Sequence, residues 1–267
     1  MKKYFFIFSA ILVGVAFAWR EQTHWLGRFE RAQKSTVLLE SSKSFGSGVI
    51  IRKTNPNDCP RLFVWTAAHV VRADNTVKVS QVIRLDGRKA GTINFSAHVL
   101  VRDSSLDLAL LWLEAPANFF SASAFDGTKI LPVGTGVFHC GNFSGPKLEG
   151  SFSSGVVSQV GVSSPEFPWQ IIDQASAVVQ HGCSGGGLFS DRSGKLVGIV
   201  TGLFDSGVTF FVPARAVNTF CVVHNVQWAF SGDACPSDGK LLLLQESAKL
   251  SPQAKAPDAF LQLLLAP

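Results

Sequence analysis

From Ser35 to Val212 the sequence is a succession of short runs rich in Val, Ile, Leu and Phe, each closed by turn-forming residues. None of them is long enough for a stable helix. One set comprises Thr36 to Leu39, Gly48 to Arg52, Leu62 to Thr66, Val77 to Leu85, Ala97 to Val101 and Leu108 to Leu113, with turns such as Asn55-Pro56-Asn57-Asp58 and Asp86-Gly87. A second set follows the break at Phe125-Asp126-Gly127-Thr128: Gly136 to Cys140, Gly150 to Val160, Ile171 to Asp173, Gly187 to Phe189, Leu196 to Thr201 and Val208 to Val212. Strands of this length are marginal alone and must close on one another to remove their edges. The chain is therefore expected to be all-β, with two tandem six-stranded antiparallel barrels over residues 35–125 and 128–213 and a cleft between them.

The period changes after Pro213. Val217, Phe220, Cys221, His224 and Trp228 recur at helical spacing, with Pro213 suited to a start and Ser231-Gly232 to a stop. One C-terminal helix over 214–231 is expected on the second barrel. Residues 232–267 carry two Leu clusters, 241–244 and 261–265, interrupted by Pro252 and Pro257. They read as docked strands or a partly ordered interaction segment, too short to span a membrane.

At the other end, Lys2 and Lys3 precede an uncharged apolar run and then Ala16-Phe17-Ala18. This is the pattern of a secretory signal over residues 1–18, and it places the chain outside the cytoplasm, secreted or periplasmic. Retained, the same run would be an N-terminal membrane anchor, the one membrane contact expected. Apolar residues make up 46% of the chain, enough for real cores, and the formal charge of +5 comes with no stripe of basic and aromatic residues. Nucleic acid is not an expected partner.

Five cysteines, Cys59, Cys140, Cys183, Cys221 and Cys235, suit an oxidising compartment. Cys221 and Cys235, close together near the end of the domain, are the pair expected to bridge. None shows the spacing of a metal site, and no cofactor is expected.

Three segments carry chemistry. Gly182-Cys183-Ser184-Gly185-Gly186 is a small, flexible loop in which a serine hydroxyl can stand free while backbone N–H groups turn toward a developing negative charge. A serine is a weak nucleophile without a base in reach, and His69, within Thr66-Ala67-Ala68-His69-Val70-Val71, is the best placed of six histidines. Asp107 heads the apolar run of Ser105 to Leu111, where a carboxylate needs a partner such as an imidazole N–H; Asp103 is the neighbour most easily confused with it. The order His, Asp, Ser across two barrels is one of the known orders of the nucleophile–base–acid triad.

With these motifs the sequence resembles the protease domain of the HtrA/Deg family, within the chymotrypsin-like, trypsin-fold superfamily. The resemblance runs from about Ser35 to Arg215 through Phe45-Gly46-Ser47-Gly48-Val49-Ile50-Ile51, the His69 and Asp107 segments, Leu85-Asp86-Gly87-Arg88, Gly141-Asn142-Phe143, Ser154 to Ser158, Gly182 to Leu188 and Gly207 to Pro213. It implies an endopeptidase acting on protein or peptide substrates, with the N–H groups of Gly182 and Ser184 as the oxyanion hole. It further implies that Ile199, Val200 and Thr201 pair with the substrate backbone as an added strand, and that Val179 walls the specificity pocket. No acid stands at the base of that pocket, so small or medium aliphatic residues are expected before the cleaved bond. Family members also form homo-oligomers, which the sequence leaves open.

Two departures matter. Cys183 stands where the superfamily usually has Asn or Asp, and Gly187 where it often has Pro. The stretch after Pro213 is too short for the PDZ domain that many family members append, so none is expected in it. The competing reading is a silent or latent trypsin fold that binds peptides or unfolded chains in the same cleft; the presence of all three triad residue types argues against it.

Overall fold

A computed structural model describes residues 27–72, 74–85, 88–117, 119–162, 171–203 and 208–250. The expected signal segment, the Asp86-Gly87 turn and the second Leu cluster lie outside them. The first six strands are β1 (Thr36–Glu40), β2 (Phe45–Thr54), β3 (Pro60–Thr66), β4 (Thr76–Leu85), β5 (Arg88–Asp103) and β6 (Leu108–Glu114), closed in the order β1-β2-β3-β6-β5-β4. The second six are β7 (Gly136–Phe143), β8 (Leu148–Val162), β9 (Ile172–Ala175), β10 (Gly187–Ser190), β11 (Leu196–Leu203) and β12 (Thr209–Pro213), closed as β10-β11-β12-β9-β8-β7. Neighbouring strands pair antiparallel throughout.

The strand sequences show why both faces are needed. In β3, Leu62 and Val64 point into the first barrel with Val37, Leu39, Ile50, Val79 and Leu111. Phe63 and Trp65 alternate outward, yet both are fully buried. Their outer face is covered by the second barrel and the C-terminal segment, in a core that joins Phe63, Trp65, Leu108 and Leu110 to Phe138, Phe189, Ile199, Phe220 and Trp228. A strand buried on both faces reads as a continuous apolar run rather than an alternation.

Helix α1 (residues 27–35), which no sequence signal had flagged, runs directly into β1 and sets Phe29 on Phe138 at a ring separation of 4.6 Å. Helix α2 (Ala214–Val223) starts after an extended Pro213, but stops well short of Ser231-Gly232. Asn225 adopts a left-handed backbone (φ 56°), with Asn225 N–H donating to Val222 O and Val226 N–H to Cys221 O. This is a Schellman cap, with Asn in the position that usually takes Gly. The helix also reaches beyond the second barrel: Phe220 packs on Trp65 at 5.4 Å, and Trp228, in the short 3-10 turn that follows, on Phe63 at 4.6 Å.

The tail corrects another expectation. Residues Asp238–Leu250 form α3, packed along β5, with Leu241 fully buried and Asp238 accepting two hydrogen bonds from Arg61 at 2.7 and 2.9 Å. Its Leu, Lys, Gln, Glu and Ala residues are strong helix formers, a signal that outweighs the unpatterned Leu run. The expected Cys221–Cys235 bridge is absent: all five cysteines are free.

Candidate active site

The loop after β3 uses two small buried residues, Ala67 and Ala68, to lead into a 3-10 turn (Ala68–Val71) that carries His69. Across from it, the turn between β5 and β6 ends in Asp107, whose backbone is left-handed (φ 52°). Few non-glycine residues adopt that conformation, and Asp is among those that tolerate it when hydrogen bonds hold the turn. The Asp107 carboxylate spans the histidine. Its Oδ1 accepts the His69 backbone N–H at 2.9 Å, and its Oδ2 lies 2.8 Å from His69 Nδ1. An Nδ1–H donated to the carboxylate leaves Nε2 as the free lone pair of the ring. Thr201 donates its hydroxyl to the same Oδ2 in a short hydrogen bond.

Ser184 stands in the glycine loop before β10. Its hydroxyl donates to the Thr201 carbonyl at 3.3 Å, so one threonine touches both the acid and the serine. The loop is held by backbone bonds from Gly185 N–H to Val200 O (2.7 Å) and Gly186 N–H to Cys183 O (2.9 Å). Gly182 and Gly185 have φ of 94° and 84°. A Cβ on Gly185 would collide with Thr66 Oγ1 and the Ser47 carbonyl, so only glycine fits there.

The first barrel supplies the other half of this clamp. Ser47, in β2, donates its N–H to Ser184 O at 2.7 Å and its hydroxyl to Gly182 O at 2.6 Å, while Asn142 N–H donates to Ser47 Oγ at 2.9 Å. The carbonyls of Gly182 and Ser184 are thus turned toward the first barrel. Among the described residues the N–H groups of Gly182 and Ser184 have no hydrogen-bond acceptor. Ser47 and Asn142 lie in motifs that were legible in sequence, but only the contact between the barrels gives them this task.

Cys183 faces the other way. It is fully buried against Val179 and Val200, with Phe143 beside them, and burial pushes its thiol up to about 12. Such a thiol is inert as a nucleophile. Beneath the loop lies a residue that sequence reasoning passed over: His139, fully buried, with Nδ1 donating to Gly187 O at 3.0 Å and Nε2 unpaired among the described residues. His181 is exposed, and its carbonyl accepts Ser144 N–H at 2.7 Å.

One expected set must be redrawn. Ile199 is buried and ladder-paired on both sides, with Gly187 of β10 and Val212 of β12, and both backbone groups of Val200 are taken by Gly185 and Gly186. Neither can accept an added strand. The pairing with β10 ends at Ile199 while β11 continues to Leu203, so a free strand edge can begin only at Thr201.

A family model described as a trypsin-like peptidase domain matches residues 46–199. The chain is 32% identical over 186 residues to a probable periplasmic serine protease do/HhoA-like of Haemophilus influenzae, covering 66% of this chain and 36% of that protein. It is 30% identical over 189 residues to Protease Do-like 1, chloroplastic, of Arabidopsis thaliana, covering 67% and 39%. The chain thus spans little more than a third of the length of these relatives. The solved structure of Deg5 superposes with a TM-score of 0.58 at 22% identity, over 79% of this chain and 98% of that one, a likeness of fold. Matched by that family model over more than half of its length, and similar to Do-type serine proteases, this chain belongs to the trypsin-like peptidase domain family.

Proposed function

We propose that the protein is a serine endopeptidase in which Ser184 is the nucleophile, His69 the general base and Asp107 the group that orients the base. The observation that carries this reading is the Asp107 carboxylate bridging the backbone and Nδ1 of His69, with Thr201 as a third donor. That contact holds the tautomer whose Nε2 can take a proton, and it stabilises the imidazolium formed as Ser184 attacks. For attack, the Ser184 hydroxyl exchanges the Thr201 carbonyl for His69 Nε2. The tetrahedral oxyanion then lies against the N–H groups of Gly182 and Ser184, whose peptide units are held at their carbonyls, His181 O by Ser144 N–H and Cys183 O by Gly186 N–H. His69 returns the proton to the leaving amine, and water, activated by the same base, hydrolyses the acyl-enzyme.

The substrate is a protein or peptide whose backbone adds to the edge of β11 from Thr201 onward. Val179, at the edge of the apolar cluster behind the serine loop, is read as the wall of the specificity pocket, and an uncharged wall favours a small or medium aliphatic residue before the scissile bond. The N-terminal sequence pattern and the periplasmic relative support an extracytoplasmic setting.

A peptide-library digest with an organophosphonate label tests the reading. Labelling at Ser184, and a loss of turnover by about 10⁶ in Ser184→Ala, are expected. Unchanged proteolysis in that variant refutes the nucleophile; basic or acidic residues dominating before the cleaved bond refute the pocket. A second reading, a latent enzyme, is favoured by the resting bond from Ser184 to the Thr201 carbonyl. Its signature is an intact Ser184 that takes up the phosphonate only once a peptide is bound.

A further inference from the structure

The site holds one Asp–His pair, and a second lies close to it in the fold. Asp103 ends β5 and pairs with Leu108 across the turn 104–107 whose last residue is Asp107. The Asp103 carboxylate is 2% exposed and has four donors. Its Oδ1 accepts Ser105 N–H at 2.8 Å, Ser105 Oγ–H at 2.5 Å and Leu106 N–H at 3.2 Å, which winds the turn around it. Its Oδ2 accepts His224 Nε2–H at 2.9 Å. Burial acts to raise the Asp103 carboxyl, but the hydrogen bonds from His224 and Ser105 outweigh it and hold the group below its ordinary value.

His224 comes from the C-cap of α2, 121 residues further along the chain, and its ring packs on Phe220 at 4.6 Å. Phe220 in turn packs on Trp65, near the end of the strand that leads to His69. The turn that presents Asp107 in a left-handed backbone is therefore tied at its start to a helix from beyond the second barrel. Asp is one of the few non-glycine residues that visit the left-handed region where local hydrogen bonds hold it there, and the bonds that wind this turn converge on Asp103.

We propose that Asp103 and His224 are positioning residues for catalysis: their bond sets the turn 104–107, and so the angle at which Asp107 meets His69. This rests on the reading of Asp107 as the orienting acid. A misaimed Asp107 weakens stabilisation of the imidazolium, which exists only as the reaction proceeds, so the loss falls on kcat and leaves KM in place.

Steady-state kinetics on a peptide substrate, with thermal melts of every variant, test it. His224→Phe keeps the aromatic contact with Phe220 and removes the donor; kcat is expected to fall about tenfold or more, with KM unchanged. His224→Gln places an amide N–H near the position of Nε2 and is expected to restore most of that loss. Asp103→Asn should lower kcat like His224→Phe. Full kcat in both His224→Phe and Asp103→Asn overturns the proposal. So does a kcat loss that tracks the fall in melting temperature and is matched by an equally destabilising α2 variant, Val217→Ala. Retained activity in Ser184→Ala would instead strike the triad reading, so the two failures are distinguishable.

Discussion

Acid should destabilise this protein through one buried histidine. His139 sits against Gly141 and Gly186, under the loop that carries Ser184, and burial lowers it from 6.5 to about 4, opposed only in part by the bond to Gly187 O. Above pH 6.5 the ring is neutral in both folded and unfolded chains and makes no pH-dependent contribution. As pH falls from 6.5 toward 4, the unfolded chain takes up a proton that the folded chain refuses, and stability declines by about 1.4 kcal/mol per pH unit. By pH 5 the loss is about 2 kcal/mol and by pH 4 about 3 kcal/mol, a large part of a marginal total. Asp103, held below its ordinary 3.8, acts in a lower window: its contribution is present above that value and lost below it. The assay is urea denaturation at pH 7, 6, 5 and 4.5 on Ser184→Ala, which prevents self-digestion, with and without His139→Leu. The leucine removes the donor from His139 Nδ1 to Gly187 O, a cost of about 1 kcal/mol that does not vary with pH. Every other residue is common to the two variants, so the difference between their slopes isolates His139. The expected result is that the chain with His139 loses about 2 kcal/mol more than His139→Leu between pH 7 and pH 5. Parallel slopes would refute the argument, because they would mean that the site accommodates the charged ring.

Thr201→Val removes the hydroxyl donated to Asp107 but keeps the carbonyl that holds Ser184, so kcat/KM should fall about 10- to 100-fold with the fold intact by circular dichroism. An unchanged kcat/KM would deny Thr201 any part in orienting the acid. Arg215→Met strands the Asp173 carboxylate, which is 1% exposed and paired with Arg215 at 2.5 and 2.7 Å. A destabilisation of about 3 kcal/mol is expected in denaturant titration, at the lower end for a buried pair because the Arg215 side chain is 18% exposed. Adding Asp173→Asn should recover part of it; no recovery would mean that the loss came from packing.

How much was legible in advance follows from how local each signal is. The short apolar run of β3 and the turn residues before it mark a strand whatever surrounds it, but the burial of both its faces depends on α2 and the second barrel closing over Trp65. Asn225 carried a readable stop signal for α2, masked by the apolar spacing that continued to Trp228. Ile199 reads as an exposable strand residue until β10 and β12 are found on either side of it.

By itself, then, the sequence determined the all-β architecture and the segments around His69, Asp107 and Ser184, because side-chain period, turn chemistry and glycine freedom act over a few residues. Tertiary structure alone decided that Thr201 touches both Asp107 and Ser184, that Ser47 holds the Gly182 and Ser184 carbonyls, and that His224 ties down the turn of Asp107. Those partners lie far apart in sequence, and no short-range rule pairs them. They meet only because two closed barrels and a terminal helix bury one shared apolar face.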